Sequence, residues 1–161
     1  MREYPWFPMF FNIGDRRALI VGGGAVAARR AATLSRFCGN IAVVAPKVRP
    51  EITALPGVQV VKRPFEPGDL EGADLVIAAT DDHALNADIA RRCRERGVPV
   101  NTASDRALCD FYFPGIAMRG TVVAGITAGG KGPQAGGAGD AGGTGSAGWL
   151  WGGGRRGAFR R

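Results

Sequence analysis

Residues 17–32 constrain this chain most: the apolar run Ala18-Leu19-Ile20-Val21 meets Gly22-Gly23-Gly24-Ala25-Val26-Ala27 and passes into helix-forming sequence. A buried run, a glycine turn and a helix start, in that order, make a strand–turn–helix unit. Gly22 permits the tight turn, Gly24 lets backbone approach a pyrophosphate, and Ala27 stands where a third glycine would let helix and strand pack closely. A pyrophosphate held there sits on free N–H groups at the positive end of the helix. The G-x-G-x-x-A pattern alone is weak, because glycine turns also join strands to helices for steric reasons. The preceding strand and the helix formers of residues 27–34, with Arg29, Arg30 and Arg36 for the solvent face, favour dinucleotide binding over a bare turn.

The rest of the chain repeats the alternation. Gly39-Asn40 reads as a left-handed close to the first helix, and Ile41-Ala42-Val43-Val44-Ala45 as a second strand. Where a ribose-binding Asp or Glu normally stands, the chain has Ala45-Pro46-Lys47-Val48. Backbone groups or Lys47 must then hold the adenosine ribose, and a cationic Lys47 tolerates a 2′-phosphate, so NAD and NADP both stay open. Residues 50–55 predict a short helix, 58–61 a strand, 64–68 a loop and 74–79 a strand whose continuous hydrophobicity suits a central parallel position. Asp81 or Asp82 caps a helix from His83 to Arg96 that Gly97 ends, and residues 98–101 form a fifth strand. The expected fold class is therefore α/β: a Rossmann-like, doubly wound parallel sheet with right-handed crossovers. Gly22 to Gly24, Ala79 to Asp81 and Asn101 to Asp105 then stand at carboxyl ends of strands, where ligands bind, and are expected to converge on one crevice. Residues 121–127 read as a last strand. Tyr4 to Phe11, apolar but broken by prolines, reads as an extended arm over a sheet edge or pocket.

Composition bounds how much of the chain can share this fold. Of 161 residues, those from 129 onward hold over half of the 26 glycines with almost no aliphatic side chains. The expected division is a NAD-binding domain over residues 1–128 and a disordered Gly/Ala/Arg-rich tail over 129–161. The net charge of +7 suggests a nucleic-acid partner until it is divided: residues 1–128 carry 16 Lys and Arg against 13 Asp and Glu, or +3, and the tail 5 against 1, or +4. A body so modestly basic suits an anionic small molecule, and no nucleic-acid partner is expected. Cys38, Cys93 and Cys109 lack C-x-x-C pairing and read as buried hydrophobes in a reducing compartment. No apolar run approaches the roughly 20 residues of a membrane helix, and none has the form of a signal peptide, so the expected location is cytoplasmic, with no membrane partner.

Several stretches together carry a resemblance. Pro8-Met9-Phe10-Phe11, the glycine turn, Val43-Val44-Ala45-Pro46, Ala78-Ala79-Thr80-Asp81-Asp82, Asn101 to Asp105, Cys109-Asp110-Phe111-Tyr112-Phe113-Pro114 and Thr127-Ala128-Gly129-Gly130-Lys131 follow one another in the order of the sirohaem synthase amino-terminal domain. The chain resembles that family from about residue 5 to 133. The resemblance implies an NAD-dependent precorrin-2 dehydrogenase that passes hydride from the tetrapyrrole to NAD+ and yields sirohydrochlorin. In bifunctional members a ferrochelatase step then inserts Fe2+ as a substrate, and the resemblance leaves its ligands open. It also implies a homodimer. Gly22, Gly24, Ala25 and Val26 match the family's pyrophosphate turn, Lys47 and Val48 its adenosine-side contact, and Thr80 and Asp81 the strand end beside the nicotinamide; Asn101 is counted with these coenzyme contacts.

The family's catalytic aspartate lies three residues after that asparagine, where this chain has Ser104 followed by Asp105. Serine is no general base unaided at neutral pH, so Asp105 is the candidate base, its alternative being a cap before Ala107-Leu108. Asp110 reads as a structural partner, His83 as solvent-facing, and Phe111, Tyr112 and Phe113 as flanking a large planar ring. The helices that finish the family's dimer and tetrapyrrole pocket do not follow Lys131. A shifted reading frame in a GC-rich gene would leave such a tail, and an RNA-binding Gly/Arg segment is the other reading. The second reading of function is a catalytically impaired NAD-binding module.

Overall fold

Five of the predicted strands pair as one sheet in the structure, a computed structural model that describes residues 7–126. Among these, residues 9–112 form one compact unit, while 7–8 and 113–126 belong to another. The first unit runs β1 (Arg17–Val21), α1 (Ala25–Leu34), β2 (Asn40–Val44), α2 (Pro50–Thr53), β3 (Val58–Val61), a 3-10 turn (Pro67–Leu70), β4 (Leu75–Ala78), α3 (His83–Arg96), β5 (Val100–Thr102) and a second 3-10 turn (Arg106–Leu108). All strand pairs are parallel, in the order β3-β2-β1-β4-β5.

The order explains the sequence pattern. β1, β2 and β4 are interior and bury every residue but their first, whereas edge strand β3 alternates between half-buried and exposed. Leu19, Val21, Val44, Val76 and Ala78 point to one face, where they meet Ile89, Ala90 and Cys93 of α3. Ile20, Ile41, Val43 and Ile77, one residue out of phase, are buried against the other. Because the sheet grows from β1 in both directions, right-handed crossovers put α1 and α3 on opposite faces. α1 turns Ala27 and Ala31 inward, both fully buried, so its axis can lie close to the strands.

The predicted limits of α3 are met. Oδ1 of Asp82 accepts from the N–H groups of Ala84 and Leu85, and Gly97 closes the helix at φ 68°. α1 ends differently from expectation: its last turn closes at Ser35, and Gly39 is not left-handed. The carbonyls of Ala31 and Leu34 are already satisfied by residues 35, 37 and 38, so no glycine cap is needed. Residues 64–68 are not wholly loop, since Pro67 starts a 3-10 turn.

The second unit holds β6 (Gly115–Arg119) and β7 (Val122–Ile126), an antiparallel hairpin turning at Gly120, φ 57°. The last predicted strand therefore exists but pairs antiparallel with a neighbour the sequence reading missed. Residues 7–11 have no regular structure, and Phe7 and Phe10 are 83% and 76% exposed. The expected covering arm would bury those rings, so over the described residues that expectation is corrected; a prolyl nitrogen at Pro8 has no N–H to dock on an edge. Tyr4 to Trp6, the motif from Thr127 to Lys131 and the tail at 129–161 lie outside the described residues.

Candidate coenzyme site

At the carboxyl ends of β1, β2 and β4 opens a cleft of about 640 Å³. Its floor is the glycine turn, and the three glycines do different work. Gly22 has φ 123°, and a Cβ there would lie 2.2 Å from the Ala79 carbonyl oxygen. Only glycine fits. A Cβ on Gly23 would lie 2.0 Å from the Lys47 carbonyl oxygen, and the Gly23 carbonyl accepts from the Arg49 N–H at 3.0 Å. This second glycine thus docks the loop after β2 against the turn. Around Gly24 a Cβ would meet no atom of the described residues within 4 Å.

Gly24 is therefore not required to be glycine by any close contact with the described residues, and it stands at the N-cap of α1. Neither α1 nor α3 has an acidic residue in its first turn, but α1 also lacks a side-chain cap, whereas Asp82 caps α3. Ala25 and Val26 open the helix, with N–H groups that no residue of the helix can satisfy. Open space beside an uncapped positive helix end fits the diphosphate of a dinucleotide.

On the β2 side the cleft is walled by Pro46, Lys47, Val48 and Arg49. Arg49 pairs with Glu51 at 2.8 Å, which holds the Glu51 carboxyl below its ordinary range. On the β4 side stand Thr80 and Asp81, both lining the cleft. Thr80 is set by a residue the sequence reading did not single out. Asn86 of α3, fully buried, accepts from the Thr80 N–H at 3.2 Å and hydroxyl at 2.7 Å, and donates to the Thr80 carbonyl at 2.9 Å. Its amide also donates to Ser104 Oγ at 3.2 Å. One side chain thus ties the end of β4 to the loop after β5.

In β5 and the loop after it, the candidate residues make hydrogen bonds within the fold. Asn101 is buried and donates to the Phe111 carbonyl at 2.8 Å. Asp105, exposed, caps the second 3-10 turn, its Oδ1 accepting from the Ala107 N–H at 2.8 Å. Asp110 Oδ2 accepts from the Val100 N–H at 3.0 Å, as expected of a structural partner. Gly22, Gly24, Lys47, Val48, Thr80 and Asp81 thus share one cleft, Ala25 and Val26 follow at its helix, and Asn101, Ser104 and Asp105 do not line it.

His83 is exposed, and the three cysteines are free and buried. Burial pushes the Cys93 thiol up to about 11. Among the described residues no three His, Cys, Asp or Glu side chains gather to hold a metal ion, and no helix is long and apolar enough to cross a membrane.

A family model described as "Putative NAD(P)-binding" matches residues 9–115. The sirohaem synthase of Pseudomonas paraeruginosa is 40% identical over 131 residues, which are 80% of this chain and 28% of that protein. The sirohaem synthase of Nitrosomonas eutropha is 40% identical over 132 residues, with the same coverage of both. Among solved structures, SirC, a precorrin-2 dehydrogenase, is similar with a TM-score of 0.66 and 27% identity, over 80% of this chain and 64% of that one. The chain spans about 28% of the length of the curated relatives it matches. With its parallel sheet, open glycine turn and these relatives, the chain belongs to the NAD(P)-binding sirohaem synthase amino-terminal domain family.

Proposed function

We propose that this chain oxidises precorrin-2 to sirohydrochlorin with NAD+ as acceptor. The observation that carries the reading is the open space at Gly24 beside the uncapped end of α1, in a chain similar to a precorrin-2 dehydrogenase. The coenzyme supplies an electrophilic ring carbon that takes up hydride; the substrate also loses one proton. Gly22, Gly24, Ala25 and Val26 hold the diphosphate, Lys47 and Val48 flank the adenosine, and Thr80 and Asp81 bound the nicotinamide side. Asp105 takes the proton: Oδ1 is engaged by Ala107, which leaves Oδ2 as the basic oxygen. Ser104, hydrogen-bonded to Asn86, sits beside it and keeps the loop in register. In this reading Fe2+ enters only as the substrate of a second, ferrochelatase step. In this reading the protein acts on tetrapyrroles in the cytoplasm.

The test is the near-ultraviolet absorbance of reduced nicotinamide when precorrin-2 and NAD+ are supplied. Reduced coenzyme should accumulate with sirohydrochlorin, and Asp105→Asn should lower kcat far more than it raises KM. Unchanged turnover in that variant removes Asp105 from the mechanism. A second reading, a coenzyme-binding module without turnover, is favoured by the engagement of Asp105 in a cap; it predicts binding of NAD+ with no reduction.

A further inference from the structure

The wall on the β2 side of the cleft differs in charge from one built for NAD alone. We infer that the loop at residues 46–49 forms a subsite for a 2′-phosphorylated ribose, so that the chain binds NADP at least as tightly as NAD. This rests on the coenzyme reading above and deepens it.

Selectivity for NAD comes from a carboxylate near the end of the second strand, which hydrogen-bonds the ribose hydroxyls and repels a 2′-phosphate. Here that position is occupied by Pro46, Lys47 and Val48, and among the described residues no acidic one lines this side of the cleft. The acidic residues that do line it, Asp81 and Asp82, follow β4, on the other side of β1 from β2. Glu51, close in sequence, is held by Arg49 at 2.8 Å. Lys47 has no ion-pair partner among the described residues.

The cation is also well placed. The Arg49 N–H donates to the Gly23 carbonyl, and the Lys47 carbonyl sits where a Gly23 side chain would be. The loop is thus fastened to the turn that takes the diphosphate, and the adenosine ribose is the next group along the coenzyme. A 2′-phosphate, carrying about −1.5 to −2 at neutral pH, would meet Lys47 and compete with the exposed Glu51 for Arg49.

Calorimetry on the full chain tests this with NAD+ and NADP+, and with AMP against adenosine 2′,5′-bisphosphate to isolate the extra phosphate. NADP+ should bind at least as tightly as NAD+, and the bisphosphate about tenfold tighter than AMP. Lys47→Glu, at an exposed position, should shift the NADP+ to NAD+ affinity ratio about tenfold or more towards NAD+, and Lys47→Gln should shift it less. Tight NAD+ binding with NADP+ bound more weakly overturns the inference and leaves the coenzyme reading standing, as does a ratio that Lys47→Glu fails to move. No binding of either coenzyme by the folded chain overturns both.

Discussion

Three adjacent glycines in this chain are not equivalent, and substitution should separate their roles. At Gly22 a methyl group would meet backbone at 2.2 Å on a residue with φ 123°. Neither the Ala79 carbonyl nor the turn can yield cheaply, so Gly22→Ala should cost about 3 kcal/mol or more. Gly24→Ala meets no atom of the described residues within 4 Å. Its stability in urea should stay within about 0.5 kcal/mol of the parent. Coenzyme binding should nevertheless weaken roughly tenfold or more, because the methyl occupies the space left for the diphosphate. Urea denaturation and calorimetry on the two variants give opposite patterns if the cradle is as described; a Gly24→Ala protein that binds normally removes Gly24 from the site. The same scale shows what the sequence could not reveal. Gly22 and Gly24 are readable from spacing, whereas the need for Gly23 arises from Lys47, a neighbour only after folding. Asn86 is likewise an ordinary polar residue of a helix until Thr80 and Ser104 close around it.

At the scale of elements, local chemistry decided what was legible. α3 carries its own signals, an Asp before its first turn and a glycine after its last, and its limits match those predicted. β6 carries none: Gly115-Ile116-Ala117-Met118-Arg119 lacks a run of β-branched residues and is a strand only because β7 pairs with it. The segment between β3 and β4 is held instead by charge. Asp69 accepts from Arg63 at 2.6 and 2.9 Å and from the Glu66 N–H at 2.8 Å, closing a capping box at the 3-10 turn. The Arg63 guanidinium, first, and the Glu66 N–H hold the Asp69 carboxyl below its ordinary range despite partial burial. A carboxyl whose folded pKa is depressed stabilises the fold above its unfolded value and loses that contribution as pH falls through the folded one. Stability in urea should therefore decline below about pH 4, and Asp69→Asn should flatten that decline while lowering stability at neutral pH. A parent and variant with parallel profiles would show that the turn does not depend on this pair.

For the molecule as a whole, charge and chemistry are separated along the chain. Residues 1–128 carry +3 and residues 129–161 carry +4, yet every described residue lining the cleft falls between Val21 and Leu85. A polyanion responds to the density of positive charge, with an affinity that falls steeply as salt rises. A dinucleotide responds instead to the shape of one turn and the N–H groups beside it. Deleting residues 129–161 should therefore abolish most retention on heparin or RNA at low salt and leave the affinity for the nicotinamide coenzyme within about twofold, since the chain from β1 to α3 is untouched. Ligand linkage supplies the control: at a hundredfold excess over Kd, coenzyme should stabilise the full and shortened chains alike by about 2.7 kcal/mol. Heparin retention that persists after deletion would place a polyanion surface on the folded units. Loss of coenzyme stabilisation with the tail would mean that the carboxyl-terminal residues contribute to the cleft, and would move the candidate site beyond the turn on which it now rests.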